Sequence, residues 1–397
     1  MLTRDKIITV SEELKNVNIL SPTDFGEFLG ILSDKRTLLM QKNGWNTSTL
    51  GVSIDNGNTI IWGNSFGSGG TYKITGFIET YDGEILISTG QKSDSSPAVG
   101  QVWKSTGWNK QTANAFSWKI VTSTLGTGVN YDGRWGFNNG CVIREGKLKG
   151  AIAIAEYGTT VKDSITNGNT AEYGAVKVKI SYDNGNTWGV ILDLSQKFYN
   201  NNSQCHIHGC ACDDYFERIL VTYGDGGTDG NGESAIVYCN YEDLKAPKWE
   251  YIPSTNGRNP RKIQVTNVSV RKDRLEFVSD SEVGAIRCIN RLGYRCYGEL
   301  KDVVSLRNGI IGERIFYELD SEDSLRLYSY QLFGTNTGHY SAIYKCKNNE
   351  FTELYRHNVA QTQGRGITNA VYSTSTNKVY ANIQIDGTTR FFIADFV

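Results

Sequence analysis

"VSIDNGNTIIW", Val52–Trp62, and "ISYDNGNTWGV", Ile180–Val190, carry one pattern, S-x-D-x-G-x-T, at Ser53, Asp55, Gly57 and Thr59 and again at Ser181, Asp183, Gly185 and Thr187. Each follows an apolar, alternating run of strand character and precedes a second one. The physics of such a turn is local. The carboxylate of Asp55 or Asp183 accepts backbone N–H groups across the turn, and Gly57 or Gly185 supplies a left-handed residue that a side chain would oppose. Trp188 completes the second copy as an aromatic that pins the hairpin down. One copy is a turn; two copies are evidence of a repeat.

Weaker echoes extend that repeat. "VWKSTGW" around Ser105, "IVYCNYEDLKAPKWEYI" around Cys239, "AIRCINRLGYRCYG" around Cys288 and "AIYKCKNNEFTELYR" around Cys346 each run from an alternating strand through a polar turn into an aromatic strand. Counted between these points and the two full copies, the period is roughly 50–75 residues, the span of a four-stranded propeller blade. Each unit also shows two earlier strands, as in "GFIETYDGEILIST". The expected fold is therefore all-β: one β-propeller domain over 1–397, with blades near 20–64, 71–123, 133–193, 205–253, 261–300, 308–358 and 365–397. Seven blades fit best, and six if one weak unit is a decoration. The last unit is one strand short, and "KIITVSEEL" near the N-terminus is a spare. Residues 5–14 are thus expected to close the ring as the outermost strand of the seventh blade.

Composition agrees with a β protein. The 397 residues include 43 Gly, 22 Tyr and 15 Phe against 5 Pro and 2 Met, so strand and turn formers outweigh helix formers. A formal net charge of -1 offers no bulk attraction to nucleic acid or to an anionic membrane, so charge-based recognition has to be local. The N-terminus "MLTRDKIITV" has no apolar signal-peptide core, and no apolar run is long enough to span a membrane. The eight cysteines form no disulfide framework in sequence and are expected as small, reduced core residues of a chain made in a cytoplasm.

The paired motifs resemble the Asp-box turns of BNR or sialidase-like propellers. A narrower resemblance covers about residues 200–295. "HIHGCACDDYFERILVTYGDG", His206–Gly226, followed by "NPRKIQVTNVSVRKDRLEFVSDSEVG", Asn259–Gly284, is similar to blades of Asp-box propellers in bacteria and tailed bacteriophages. This resemblance implies a receptor-binding or tail-fibre module located in the virion tail. Its implied partners are a host cell-surface polysaccharide or other anionic glycan and other tail proteins, with no nucleic acid and no membrane insertion. The Arg-Ile-Pro motif that sialidases carry near the N-terminus is absent from this sequence.

Aligning the blades by the start of the inner strand places Lys73, Arg134, His206, Arg261, Arg314 and Arg365 at equivalent points, with Asp24 in the first. Converging guanidinium groups suit a carboxylate or phosphate, because each grips it through two parallel hydrogen bonds. The expected ligand is an acidic or polyhydroxylated sugar, with Trp135 available to stack on a ring and His208 beside His206. If the chain is instead a sialidase-like hydrolase or a lyase, His206 and His208 are the acid–base candidates and Arg134, Arg261 and Arg365 the carboxylate clamp. A third reading is a scaffold that only holds other tail proteins.

No cofactor is expected. Strict alternation puts His206, His208, Cys210 and Cys212 on one strand face, but at about 3.3 Å per residue the first and last lie roughly 20 Å apart, too far for one zinc ion. An H-x-H pair at His206 and His208 would need a further ligand from another blade. "GDGGTDGNGE", Gly224–Glu233, offers Asp225 and Asp229 to calcium but reads first as a surface loop.

Overall fold

A computed structural model describes residues 9–10, 14–43, 48–66, 72–91, 101–123, 140–156, 176–194, 206–224, 234–253, 265–279, 285–305, 316–318, 326–331, 340–347, 350–358 and 366–396. Two strands come first, β1 (Thr9–Val10) and β2 (Leu14–Leu20), and one helical turn, Pro22–Phe25, leads into the sheets. The first blade is β3 (Glu27–Ile31), β4 (Leu38–Asn43), β5 (Ser48–Ser53) and β6 (Ile61–Phe66). The second is β7 (Tyr72–Glu79), β8 (Ile85–Gln91), β9 (Gln101–Thr106) and β10 (Ser117–Ser123). The third is β11 (Cys141–Val142), β12 (Ile152–Ala155), β13 (Lys177–Ser181) and β14 (Gly189–Asp193). The fourth is β15 (His206–Asp213), β16 (Arg218–Gly224), β17 (Ala235–Asn240) and β18 (Glu250–Tyr251). The fifth is β19 (Val265–Val270), β20 (Arg274–Ser279), β21 (Ala285–Gly293) and β22 (Cys296–Ser305). The sixth is β23 (Phe316–Glu318), β24 (Arg326–Gln331), β25 (Tyr340–Lys347) and β26 (Glu350–Asn358). The seventh takes β27 (Ile367–Ser373), β28 (Lys378–Ile385) and β29 (Thr388–Phe396) from the C-terminus. Among the described residues these strands form seven separate sheets, the first five of them four-stranded antiparallel meanders and the last two completed by the N-terminal strands, so the chain is an all-β, seven-bladed propeller.

The sequence forms these strands because both faces of each sheet are covered. In β16, "RILVTYG", every residue is buried. Ile219, Val221 and Tyr223 pack into the third–fourth seam, whereas Leu220 packs with Val265 and Phe277 in the fourth–fifth seam. Alternation therefore sorts side chains between two apolar neighbours instead of between core and water. Among the described residues, equivalent clusters fill four further seams, for example Leu39 and Val52 with Ile74 and Ile87, and Phe28 and Leu38 with Tyr380 and Phe391.

The ring closes as expected in kind but at a different segment. The fourth strand of the seventh blade is β2, Leu14–Leu20, antiparallel to β29, and not residues 5–14. Thr9–Val10 instead runs parallel to Thr352–Glu353 on the outer edge of the sixth blade. The β-branched run "KIITV" misdirected the sequence reading, because an outermost strand is held through its backbone and needs no apolar alternation. β2 is exposed along most of its length, is bulged between Lys15 and Asn18, and has Asn16 left-handed with its Nδ2 donating to Asp395 at 2.7 Å. A second lock lies at the inner strands. Buried Asn382 of the seventh blade accepts from Phe28 N–H and donates to Phe28 C=O, both at 2.8 Å, and Asn369 adds a bond to the same carbonyl.

The cysteines also depart from expectation. Cys141 of β11 and Cys212 of β15 are joined as a disulfide, with Cα atoms 5.7 Å apart, clipping the inner strands of the third and fourth blades together. Two strands in different blades bring these residues together, and nothing in linear spacing announces it. Cys210, Cys239 and Cys288 are buried thiols, as read from sequence, and Cys296 is an exposed thiol.

Two outcomes follow. Asn382→Ala leaves the buried Phe28 N–H unpaired at the closing seam, its C=O keeping Asn369, and lowers unfolding free energy by about 1–3 kcal/mol, measured by urea denaturation. Non-reducing peptide mapping recovers Cys141 linked to Cys212, and a Cys141→Ser/Cys212→Ser variant melts below the oxidised wild type by the equivalent of about 2–4 kcal/mol.

Candidate ligand-binding end of the propeller

The two ends of the ring are built differently. At the turn end, both S-x-D-x-G-x-T segments fold identically. Asp183 Oδ1 accepts from Ser181 Oγ at 2.8 Å, Asn186 N–H at 3.0 Å and Thr187 N–H at 2.8 Å, and Oδ2 accepts from Thr187 Oγ1 at 2.7 Å. Asp55 makes the same set with Ser53 and Thr59. Partial burial works against the Asp183 charge, but the donors from Thr187, Ser181 and Asn186 outweigh it and hold the carboxyl down at about 2. Asn184 and Gly185 are both left-handed, and Trp188 Nε1 donates back to Gly185 C=O at 3.1 Å. A methyl on Gly185 would meet Leu86 of the second blade, and one on Gly57 would meet Ile393 of the seventh. These turns are inter-blade packing devices whose polar groups are occupied by one another.

The second blade solves the same turn without an aspartate. In "VWKSTGW" the carboxylate comes from Glu84 at the adjacent hairpin, which accepts from Ser105 Oγ, Gly107 N–H and Trp108 N–H. Sequence reading found Ser105 but not its partner, because Glu84 lies in the hairpin turn ahead of β8, 21 residues away.

The opposite end holds the starts of the inner strands. Here the sequence candidates divide. Arg134, Trp135, Arg261, Arg314 and Arg365 lie outside the described residues, as do the side chains of Lys73 and His206 and the loop pair Asp225 and Asp229. Backbone positions put Lys73 second in β7 and His206 first in β15. His208 is described, and it is not a free acid–base group. It is 2 % exposed and its Nδ1 donates to Val265 C=O of the fifth blade at 3.1 Å. The cause is a bulge between Ile207 and Gly209, which takes His208 out of the alternation. Ile207 and Cys210 then share the third–fourth seam, so the single face expected for His206, His208, Cys210 and Cys212 does not exist. Among the described residues no group of three or more His, Cys, Asp or Glu side chains is placed to hold a metal ion.

What sequence reasoning missed is a buried ion pair at this end. Glu156 ends the run "AIAIAE" in the third blade, and Lys179 Nζ approaches its Oε1 at 2.7 Å. Both side chains are almost fully buried. Lys179 also donates to Ser123 C=O at 2.6 Å and Thr122 Oγ1 at 3.3 Å in the second blade, so it ties two blades together. Burial pushes the Glu156 carboxyl above the ordinary glutamate range against the pull of Lys179 and Lys177. Glu156 Oε2, Gln101 Oε1, Thr222 Oγ1 and Ser234 Oγ are buried oxygens at this end without a hydrogen-bond partner. The signal for Glu156 and Lys179 was a charge directly after the buried β12 and another in the middle of the buried β13, meaningful only once the strands are paired.

No family model matches the chain, and no curated protein matches it. Solved structures align with most of the chain at low identity. A glucose dehydrogenase is 11% identical, with 96% of this chain and 98% of that chain aligned at a TM-score of 0.45. A Hadza microbial sialidase, Hz136, is 14% identical over 89% of this chain and 74% of that chain at 0.47. Raptor from Chaetomium thermophilum is 12% identical over 97% of this chain and 30% of that much longer chain at 0.49.

The turn geometry sets a pH test. Because the Asp183 pKa is depressed in the folded state, its contribution is complete above the unfolded value of about 4 and is lost as pH falls toward 2. Urea denaturation of wild type against Asp183→Asn shows a constant gap above pH of about 4 that shrinks below it. Asp183→Ala costs on the order of 1–2 kcal/mol at neutral pH.

Proposed function

We propose that this chain is a carbohydrate-recognition propeller that binds an anionic surface glycan at the inner-strand end, serving as a receptor-binding module in the tail of a bacteriophage. One observation carries the recognition reading. In the alignment of the seven units by sequence, six carry a basic or imidazole group at or just before the expected start of the inner strand, namely Lys73, Arg134, His206, Arg261, Arg314 and Arg365. The strand order brings all inner-strand starts to one end of a closed ring. Guanidinium groups arriving from different blades suit a carboxylate or phosphate on a polyhydroxylated chain. The tail setting rests on the sequence resemblance across residues 200–295. The opposite end supports the assignment by contrast, since its two repeated turns spend their polar groups on each other.

Glu156 favours a second reading, a glycoside hydrolase or lyase acting on an acidic glycan. A carboxyl that holds its proton to higher pH than an ordinary glutamate is suited to general acid work, and it replaces His208 as the donor to test.

Glycan arrays and binding to host cell-wall polysaccharide test the first reading. Wild type binds an acidic glycan, and Arg261→Glu and Arg365→Glu each weaken binding by about ten-fold or more. Failure to bind any host surface polysaccharide overturns it. Turnover of fluorogenic sialosides or acidic polysaccharides by wild type, abolished in Glu156→Gln, selects the enzyme instead.

A further inference from the structure

Two Asn-Gly steps stand among the described residues, Asn56-Gly57 and Asn184-Gly185, and each lies at the centre of one of the two repeated turns. Asn-Gly is the step most open to deamidation, because glycine has no side chain to hinder attack by its own backbone nitrogen. Base removes the glycine N–H proton, and the nitrogen bonds to the asparagine Cγ. The Cγ–Nδ2 bond then breaks and ammonia leaves. Water opens the resulting succinimide to aspartate or isoaspartate, with no oxidant or reductant involved. The sequence of steps waits on deprotonation of one backbone amide.

The turn closes off that step. Gly57 N–H donates to Ser53 Oγ at 2.9 Å and Gly185 N–H donates to Ser181 Oγ at 2.7 Å, and both bonds are buried. A buried, hydrogen-bonded amide gives up its proton only when the segment opens, the same condition that hydrogen exchange reports. The asparagines are held as well. Asn56 and Asn184 have φ of 66° and 56°, and the glycines after them 87° and 85°. Asp55 and Asp183 fix each left-handed pair by accepting from the backbone beyond it, at Thr59 and at Asn186 and Thr187. Ring closure needs the asparagine Cγ and the next nitrogen to swing together, and this backbone has no freedom to do so while the turn is intact.

The harm of conversion falls on the seams. Isoaspartate lengthens the backbone of the turn by one carbon. Gly185 packs on Leu86 of the second blade and Gly57 on Ile393 of the seventh, and neither has room for so much as a methyl group. A new carboxylate also arrives beside Asp55 or Asp183, where like charges repel. We propose that Asn56 and Asn184 are latent deamidation sites, each guarded by the serine that opens its turn. Opening of a turn is reversible, and conversion in the open state makes the loss of that seam permanent. The proposal is independent of the glycan reading.

Peptide mass spectrometry after incubation in mildly alkaline buffer tests it. Native wild type keeps both asparagines, and the urea-unfolded chain converts both. Ser181→Ala, held below its melting transition, converts Asn184 about ten-fold faster, equivalent to about 1.4 kcal/mol, and leaves Asn56 at the wild-type rate. Ser53→Ala does the reverse, so each variant controls for general destabilisation in the other. Amide hydrogen exchange on native wild type needs no variant, and slow exchange is expected at Gly57 and Gly185. Fast exchange at these two amides overturns the proposal. So do equal conversion in native and unfolded wild type, and a folded serine variant that accelerates both sites alike or neither.

Discussion

Everything in this molecule depends on closing the ring. Each sheet has two apolar faces, as the fully buried β16 shows, so no blade is complete without a neighbour on both sides. Six seams join sheets that follow one another along the chain. The seventh joins the C-terminal blade to the first, where Asn382 meets Phe28 across 354 residues of sequence. Until β2 pairs with β29 and that amide meets that backbone, two sheets carry an open face each. Such long-range closure raises contact order, which slows folding and makes the last seam cooperative with the rest.

The seams are finished at both ends by polar ties, with different chemistry for the same task. At the turn end a side chain of one blade reaches the turn of the next: Lys110 of the second bonds Asp34 of the first, and Arg291 of the fifth bonds Asp213 of the fourth. At the inner-strand end the acceptor is mostly a strand carbonyl. His208 takes Val265, Lys179 takes Ser123, and His357 of the sixth blade meets Gln384 C=O of the seventh at 2.9 Å. Apolar area supplies most of the seam energy, and these ties fix register, since each leaves a buried polar group unpaired if the blades slide.

Local rules made the turns, the meander and the blade count legible, because hairpin chemistry and strand alternation are written in adjacent residues. Relations between strands were not legible. The borrowed carboxylate of Glu84, the Cys141–Cys212 bond and the Glu156–Lys179 pair each join residues on different strands, and no spacing rule connects them. The bulge at His208 shows the opposite failure. Strict alternation predicts one face, but one inserted residue inverts it, and the H-x-H-x-C-x-C segment divides into a seam histidine, a core thiol and half a disulfide.

That bulge bears on where recognition chemistry can reside. The inner strands of the first, second, fourth, fifth and seventh blades all shift register near their start. In four of them the residue just before the shift is buried: Phe28, Ile74, Ile207 and Val265. Lys73 directly precedes Ile74, and His206 directly precedes Ile207. Two of the cationic positions are therefore carried on strand backbone beside a buried anchor, ahead of a bulge that pins the register. A site built on such backbone holds its geometry without an ordered loop, which is the condition for groups from separate blades to act on one ligand.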